Sequence, residues 1–240
     1  MIGAFLNALG ILLGTLFALA WPQPLPLRVQ VFFRSGLGAF TVFFGLRLVW
    51  ENVNGAFYLC LKQMLLAALA LMLGNWLGKL LGLQKISNRL GRHAANLLAA
   101  AQKNPPGTPT AGFLTGTILF CAAPLGLVGA VTDGLGDYYY LLALKAVMDA
   151  LAMVSFTRIF RWPAAFAAFS IYLFLSLLTL TVHYGVLPTL AAHDLTASVN
   201  TAAGLLVATM ALVIFEVRRV ELANYLPALA LAPLLTWVIH

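Results

Sequence analysis

Apolar residues run almost unbroken along this chain for stretches close to the roughly 20 positions a helix needs to cross the hydrocarbon core of a bilayer. Segments carrying 13 of the 21 charged residues separate the runs. The runs fall at 2–20, 31–50, 56–83, 111–131, 138–157, 163–187, 196–217 and 220–239. Their content is Leu, Ala, Gly and Phe without strict two-residue alternation, which suits helices and not barrel strands. Open sheets are excluded because lipid cannot satisfy the backbone groups at their edges. The pattern predicts an all-α membrane protein: one transmembrane domain over residues 1–240, built as a bundle of eight transmembrane helices.

The pattern changes between the third and fourth runs. Ile86, Leu90, Ala94, Leu97, Leu98 and Ala101 recur at helical spacing, while Arg89, Arg92, His93 and Asn96 face the other way. This predicts an amphipathic helix over 86–102 on the cytoplasmic face, with Asn104-Pro-Pro-Gly-Thr-Pro breaking it before the next span. Basic residues on its polar side suit a helix lying among anionic headgroups. A solvated linker helix between two halves fits the same pattern.

Composition agrees with the pattern. The chain is 62% hydrophobic and 9% charged, with a mean hydropathy of +0.95, outside the range of soluble domains. The net charge of +7 would suggest nucleic acid in a soluble domain, but topology accounts for nearly all of it. Arg28 and Arg34 lie in the first loop, Lys79, Lys85, Arg89, Arg92 and Lys103 in the third, Arg158 and Arg161 in the fifth, Arg218 and Arg219 in the seventh. The even loops carry Glu51, then Asp133 and Asp137, then His193 and Asp194. The positive-inside rule therefore puts the odd loops in the cytoplasm and both termini outside. No cleavable leader is expected, since no basic segment precedes the first apolar run. Trp21-Pro-Gln-Pro-Leu-Pro reads as a short rigid turn with its Trp at interfacial height. Cys60 and Cys121 read as small buried hydrophobes.

Candidate chemistry centres on residues 111–154. Lys145 and Asp149 are spaced i, i+4 on one helix face, about 6 Å apart along the axis, with Asp149 near mid-bilayer by residue count. An ionisable pair at that depth is a functional hypothesis by default. It is equally what a structural ion pair joining helices would look like. A water-filled cavity reaching Lys145 would mark the first, a dry pair the second. Lys62 and Gln63 lie about two turns inside span three from the outer surface. There Lys62 is either a snorkelling side chain or a second cationic contact.

Pro124 in span four, flanked by Gly126 and Gly129, and Pro227 and Pro233 in span eight predict interrupted helices. The carbonyls of Phe120, Ala223 and Leu229 are then candidate free acceptors, a recurring way to hold ions at membrane depth, although ordinary kinks share the signature. Gly10 and Gly14, Gly74 and Gly78, and Gly112 and Gly116 mark faces that pack closely on protein, in this chain or in another copy. A parallel internal repeat is suggested by FYLCLKQMLLAALA at 57–70 against YLLALKAVMDALAM at 140–153, which aligns Lys62 with Lys145. Span seven echoes span one through Asn200 and Asn7.

Gly134-Leu-Gly-Asp137 matches the string of intramembrane aspartyl proteases, but that chemistry needs two aspartates from different helices to share a proton. The only other acid well inside a span is Asp149, twelve residues on and about 18 Å away along one helix. Gly134 and Gly136 therefore read as turn residues, and Asp137 as the cap starting the next helix. His183, His193 and His240 read as solvated outer-face residues. No cofactor, metal site or enzyme is expected.

GAFLNALGILLGTLFAL near the start, GFLTGTILFCAAPLGLVGAVTDGLGDYYYLLALKAVMDALA in the middle and VRRVELANYLPALALAPLL near the end resemble the YqgA-like multi-span bacterial membrane proteins, a family defined by a domain of unknown function. The resemblance covers essentially the whole chain and implies a bacterial inner-membrane location, with no activity to carry over. The expectation is a small-solute or ion transporter or channel using Asp149, Lys145, Lys62, Gln63 and Pro124, with membrane lipids and a small anionic or zwitterionic solute or an ion as partners. The alternative is a membrane scaffold or signalling protein whose buried pair is structural. Homo-oligomers through the Gly-rich faces are open to either.

Overall fold

The computed structural model describes every residue except 22, 24, 104–108, 219 and 240, and the side chains of 102, 103 and 109. The expected break at Asn104, the prolines Pro22 and Pro24 of the first turn, and the positions of Arg219 and His240 lie outside the described residues. Among those described, every regular element is a helix. Seven are long and apolar enough to cross a membrane, or eight if one bent pair is a single span.

The helices are α1 (Ile2–Ala20), α2 (Leu27–Asn52), α3 (Phe57–Leu80), α4 (Leu83–Lys103), α5 (Pro109–Cys121), α6 (Pro124–Gly136) and α7 (Tyr140–Phe160). A 3-10 turn (Trp162–Phe166) then leads into α8 (Ala167–Thr181), which continues through one π turn into α9 (Leu187–Ala192). Last come α10 (Thr196–Ile214), a 3-10 turn (Leu222–Tyr225) and α11 (Ala228–Ile239).

These helices are built inside out relative to a soluble protein. Phe57 is 83% exposed and Trp50 81%, while the positions facing other helices are largely Ala, Gly and Thr. Large apolar side chains on the outside are the signature of a lipid solvent, in which small residues drive association by letting backbones approach.

The chain divides into two compact units. Unit 1 comprises Met1–Val29, Ile86–Asp133 and Asp137–Leu180. Its core gathers Ala4 and Ile11 of α1, Phe120 of α5, Leu142, Met153 and Phe156 of α7, and Ile171 and Leu175 of α8. Leu98 and Ala101 of α4 join the same cluster.

Glycine contacts set the register. A Cβ at Gly3 would meet Leu142, one at Gly10 the carbonyl oxygen of Ala146, and one at Gly14 the backbone of Ala150, so α1 and α7 pack in parallel. Gly112 faces Phe160, Gly116 faces Phe156, Gly126 faces Lys145 and Gly129 faces Leu142. Together α5 and α6 therefore travel antiparallel along nearly the whole of α7, despite a bend of 63° between them. Thr179 of α8 donates to the carbonyl of Ala130 at 3.4 Å.

Unit 2 comprises Gln30–Lys85, Gly134–Gly136 and Thr181–His240. Gly74 packs on Ala228 and Gly78 on the backbone of Asn224, setting α3 antiparallel to α11 and its preceding turn. Gly38 faces Phe215 and Gly45 faces Gly204 and Ala208, so α2 runs antiparallel to α10. Ala67 and Ala70 of α3, Ala202 of α10 and Ala232 of α11 form a small-residue core. All three glycine pairs read from the sequence are thus covered from within the chain.

The structure corrects the acidic turn. Gly134 and Gly136 belong to α6, and Asp133 is 2% exposed. The helix ends only at Asp137, whose left-handed φ of 55° lets its N–H reach the carbonyls of Asp133 and Thr132. Asp137 therefore closes α6 at its C-terminal end instead of opening α7. A short polar side chain tolerates the left-handed well that stops a helix, so the two glycines were not needed for the turn.

Candidate functional site

Lys145 and Asp149 lie one turn apart on α7, and the ammonium donates to Asp149 Oδ2. Asn7 of α1 donates to the same oxygen through Nδ2 at 2.9 Å. This contact joins residues 142 positions apart, and it follows from the parallel α1–α7 packing that Gly3, Gly10 and Gly14 permit. Asn7 is fully buried, and the side chains of Lys145 and Asp149 are 2% and 9% exposed. The pair is sealed from solvent. Breaking it would leave a bare charge in an apolar surround, and the ammonium and the amide both donate to the one oxygen.

The lysine stem crosses the start of α6. An ideal Cβ at Gly126 would lie 2.8 Å from Lys145 Cε, so a larger residue there would push the lysine stem aside. Lys145 Nζ also sits 5.9 Å from the centre of the Phe120 ring, within range of a cation–π contact. Pro124 occupies the first turn of α6, where its missing N–H costs nothing. The proline thus separates two helices, α5 ending at Cys121 and α6 beginning beside Lys145. Asn7 Oδ1 is buried without a hydrogen-bond partner, and so is Ser176 Oγ of α8.

The structure thus groups Lys145, Asp149 and Pro124 in unit 1 and adds Asn7. Lys62 and Gln63 belong to unit 2 and have partners of their own. Lys62 Nζ donates to the Ile239 carbonyl at 3.3 Å, a cation at a helix C-terminal end. Gln63 Oε1 accepts the N–H of Asn54 at 3.3 Å and ties down the turn before α3. The carbonyl of Ala223, expected to be freed by Pro227, accepts the N–H of Leu226 at 3.3 Å, because the chain there tightens into a 3-10 turn. His183 Nδ1 lies 3.1 Å from the Gly134 carbonyl. Among the described residues, no group of His, Cys, Asp and Glu could hold a metal ion.

A bundle of apolar helices with large side chains outside, small ones between helices and a sealed charge pair inside defines a polytopic helical membrane protein. The chain belongs to the family described as "Protein of unknown function (DUF554)", whose model matches residues 2–237. It is 29% identical to "Uncharacterized protein YqgA" of Escherichia coli (strain K12) over 97% of this chain and 94% of that one. It is 23% identical to "Uncharacterized membrane protein YdfK" of Bacillus subtilis (strain 168), over 100% of this chain and 97% of the relative. No solved structure matches.

Proposed function

We propose that the chain is a non-enzymatic transporter or channel of the bacterial inner membrane for a small anionic or zwitterionic solute or an ion, with Asp149, Lys145 and Asn7 as its site and the Pro124 break as its movable wall. One observation carries this reading. A lysine, a carboxylate and an amide from two helices meet at one oxygen beside a helix interrupted at membrane depth, and the amide keeps a buried oxygen with no partner. An unpaired buried acceptor costs about 1–3 kcal/mol, and a donor group of an entering solute would satisfy it. In this reading the sealed pair is the occluded state, opened when α5 and α6 change their angle.

Eight spans support the proposal better than seven. Parallel packing of α1 and α7 requires an odd number of crossings between them, which α2, α3 and the bent pair α5–α6 taken as one span would supply. Contacts between helix ends agree. Arg158 donates to the Gln23 carbonyl, Arg34 to Glu216, and Gln84 pairs with Asn224, each joining an odd loop to an odd loop. Asn52 and Asn200, 3.0 Å apart, join the opposite ends. This pattern supports odd loops sharing one face, and the basic residues of those loops favour the cytoplasm for it, with both termini outside and α4 at the cytoplasmic interface.

The internal repeat fits as well. Unit 1 holds spans one, four, five and six, and unit 2 holds seven, two, three and eight. Each unit then has two spans of either direction, with a 3-10 turn before the last span of each.

The test is flux. Asp149→Asn reconstituted in proteoliposomes should lose the solute or ion movement that the parent chain supports, while remaining folded. Unaltered flux in the variant would remove the site. A second reading, the membrane scaffold or signalling protein, is favoured by the exclusion of solvent and by the close fit of the Lys145 stem on Gly126. It predicts that replacing both charges with apolar residues preserves function.

A further inference from the structure

Unit 2 holds a cavity of about 340 Å³ that the charge pair of unit 1 does not touch. Asn75 and Lys79 of α3, Thr209 of α10, and Arg218, Glu221 and Tyr225 beyond it contribute its polar lining. Lys79 and Arg218 have no ion pair with any described residue. Asn75 Oδ1 is buried and unpartnered. The wall carrying Glu221 and Tyr225 is held in place. Gly78 packs on the Asn224 backbone, the backbone N–H of Gln84 donates to Asn224 Oδ1 at 3.0 Å, and Ala223 N–H donates to Gln84 Oε1 at 3.1 Å. Asn224 Nδ2 in turn donates to Glu221 Oε2 at 2.8 Å, which orients that carboxylate.

Two cations left unpaired in a shaped cavity are set for an anion, and a guanidinium with an ammonium is the pairing that suits phosphate oxygens. The charged lining carries one net positive charge, because Glu221 offsets one of the two cations. That matches the single negative charge of a phosphodiester better than the near double charge of a phosphomonoester. Leu71, Leu212 and Val220 complete the lining and offer apolar contact to the carbon skeleton of such a ligand. Lys79 lies in the last turn of α3, and Arg218 follows the end of α10. The cavity therefore sits at helix ends, where basic pockets meet lipid headgroups.

We infer that this cavity binds a phosphodiester, held by Lys79 and Arg218. Its source is either a phospholipid headgroup or a soluble diester. The full chain in neutral detergent is titrated by native mass spectrometry with phosphatidylglycerol, with diacylglycerol of the same acyl chains, and with soluble glycerophosphoglycerol as competitor. Phosphatidylglycerol should bind and diacylglycerol should not. Lys79→Gln and Arg218→Gln should each weaken binding by about tenfold or more, the expected loss of one charge-assisted hydrogen bond. Thr209→Trp, which fills the cavity and keeps both cations, should weaken it as strongly, and Arg28→Gln, outside the cavity, should leave it unchanged. Competition by the soluble diester at equal affinity identifies a soluble source, and failure to compete identifies the lipid; both uphold the chemistry. Equal binding of diacylglycerol overturns the inference. So do wild-type binding by the Lys79 and Arg218 variants and equal weakening by Arg28→Gln. Elution of each variant as a single species on gel filtration confirms that it is folded.

Discussion

Removing one charge of the buried pair should cost far more than removing both. Lys145→Met leaves Asp149 with only the Asn7 amide, in a site where its side chain is 9% exposed. Breaking a buried pair in this way costs about 3–5 kcal/mol, because the remaining charge has lost its neutralising partner. Asp149→Leu strands Lys145, 2% exposed, with the Phe120 ring as its remaining attraction, so a loss of similar size follows. The double variant Lys145→Met/Asp149→Leu has no charge to desolvate. Methionine is unbranched enough to follow the lysine stem past Gly126, and replacements of this kind are neutral or stabilising by about 1–4 kcal/mol. Only the Asn7 amide then loses a partner, at about 1–3 kcal/mol. At the middle of these ranges the double variant should be about 2 kcal/mol more stable than Lys145→Met, and more stable still than Asp149→Leu, which also strands the Asn7 amide. Reversible unfolding in mixed micelles, followed by circular dichroism, gives the four free energies of the cycle. Equal destabilisation of the single and double variants would refute the argument that pairing is what makes these charges tolerable.

Four further outcomes follow from the same geometry. Gly14→Val should separate α1 from α7 and destabilise the chain by about 1–3 kcal/mol or more, as overpacking does, because the new side chain would enter the Ala150 backbone; thermal unfolding in detergent checks this. Arg161 adopts φ 61° and ψ −158°, a region almost reserved for glycine, so Arg161→Gly should stabilise the chain by about 1–3 kcal/mol in the same assay. Pro124→Ala restores a backbone donor and should reduce the 63° bend, lengthening the distance between spin labels at residues 110 and 136 in pulsed EPR. Gln84→Ala removes the acceptor for the Ala223 N–H and should speed amide hydrogen exchange at Ala223, without changing exchange in α7.

What could be read from the residues depended on how local each feature is. Lys145 and Asp149 were legible because i, i+4 neighbours share a helix face whatever surrounds them. The apolar runs are legible because hydrocarbon demands about 20 residues of any helix that crosses it, and Pro124 announces the break between α5 and α6. Asn7 was not recognised as part of the site, because its partner lies 142 positions away and only packing selects it. A buried amide in an otherwise apolar run was the signal available. Asp133 reads as a loop residue because Gly134 and Gly136 look like turn formers, whereas the chain turns on the left-handed Asp137. Lys79 and Arg218 were explained by topology alone, and nothing along the chain shows that α3 and the end of α10 face one cavity.

The central claim is that the sealed triad opens to water, and cysteine accessibility tests it without knowledge of the solute. In a Cys60→Ser/Cys121→Ser background, Asn7→Cys replaces a residue that is fully buried in the structure. Right-side-out and inverted membrane vesicles are exposed to a membrane-impermeant maleimide, which alkylates only a thiolate that water can reach. A transporter or channel predicts labelling at position 7 from at least one face. A thiol that stays unlabelled from both faces, in a protein that labels fully once denatured, would show that the triad never opens and would contradict the account.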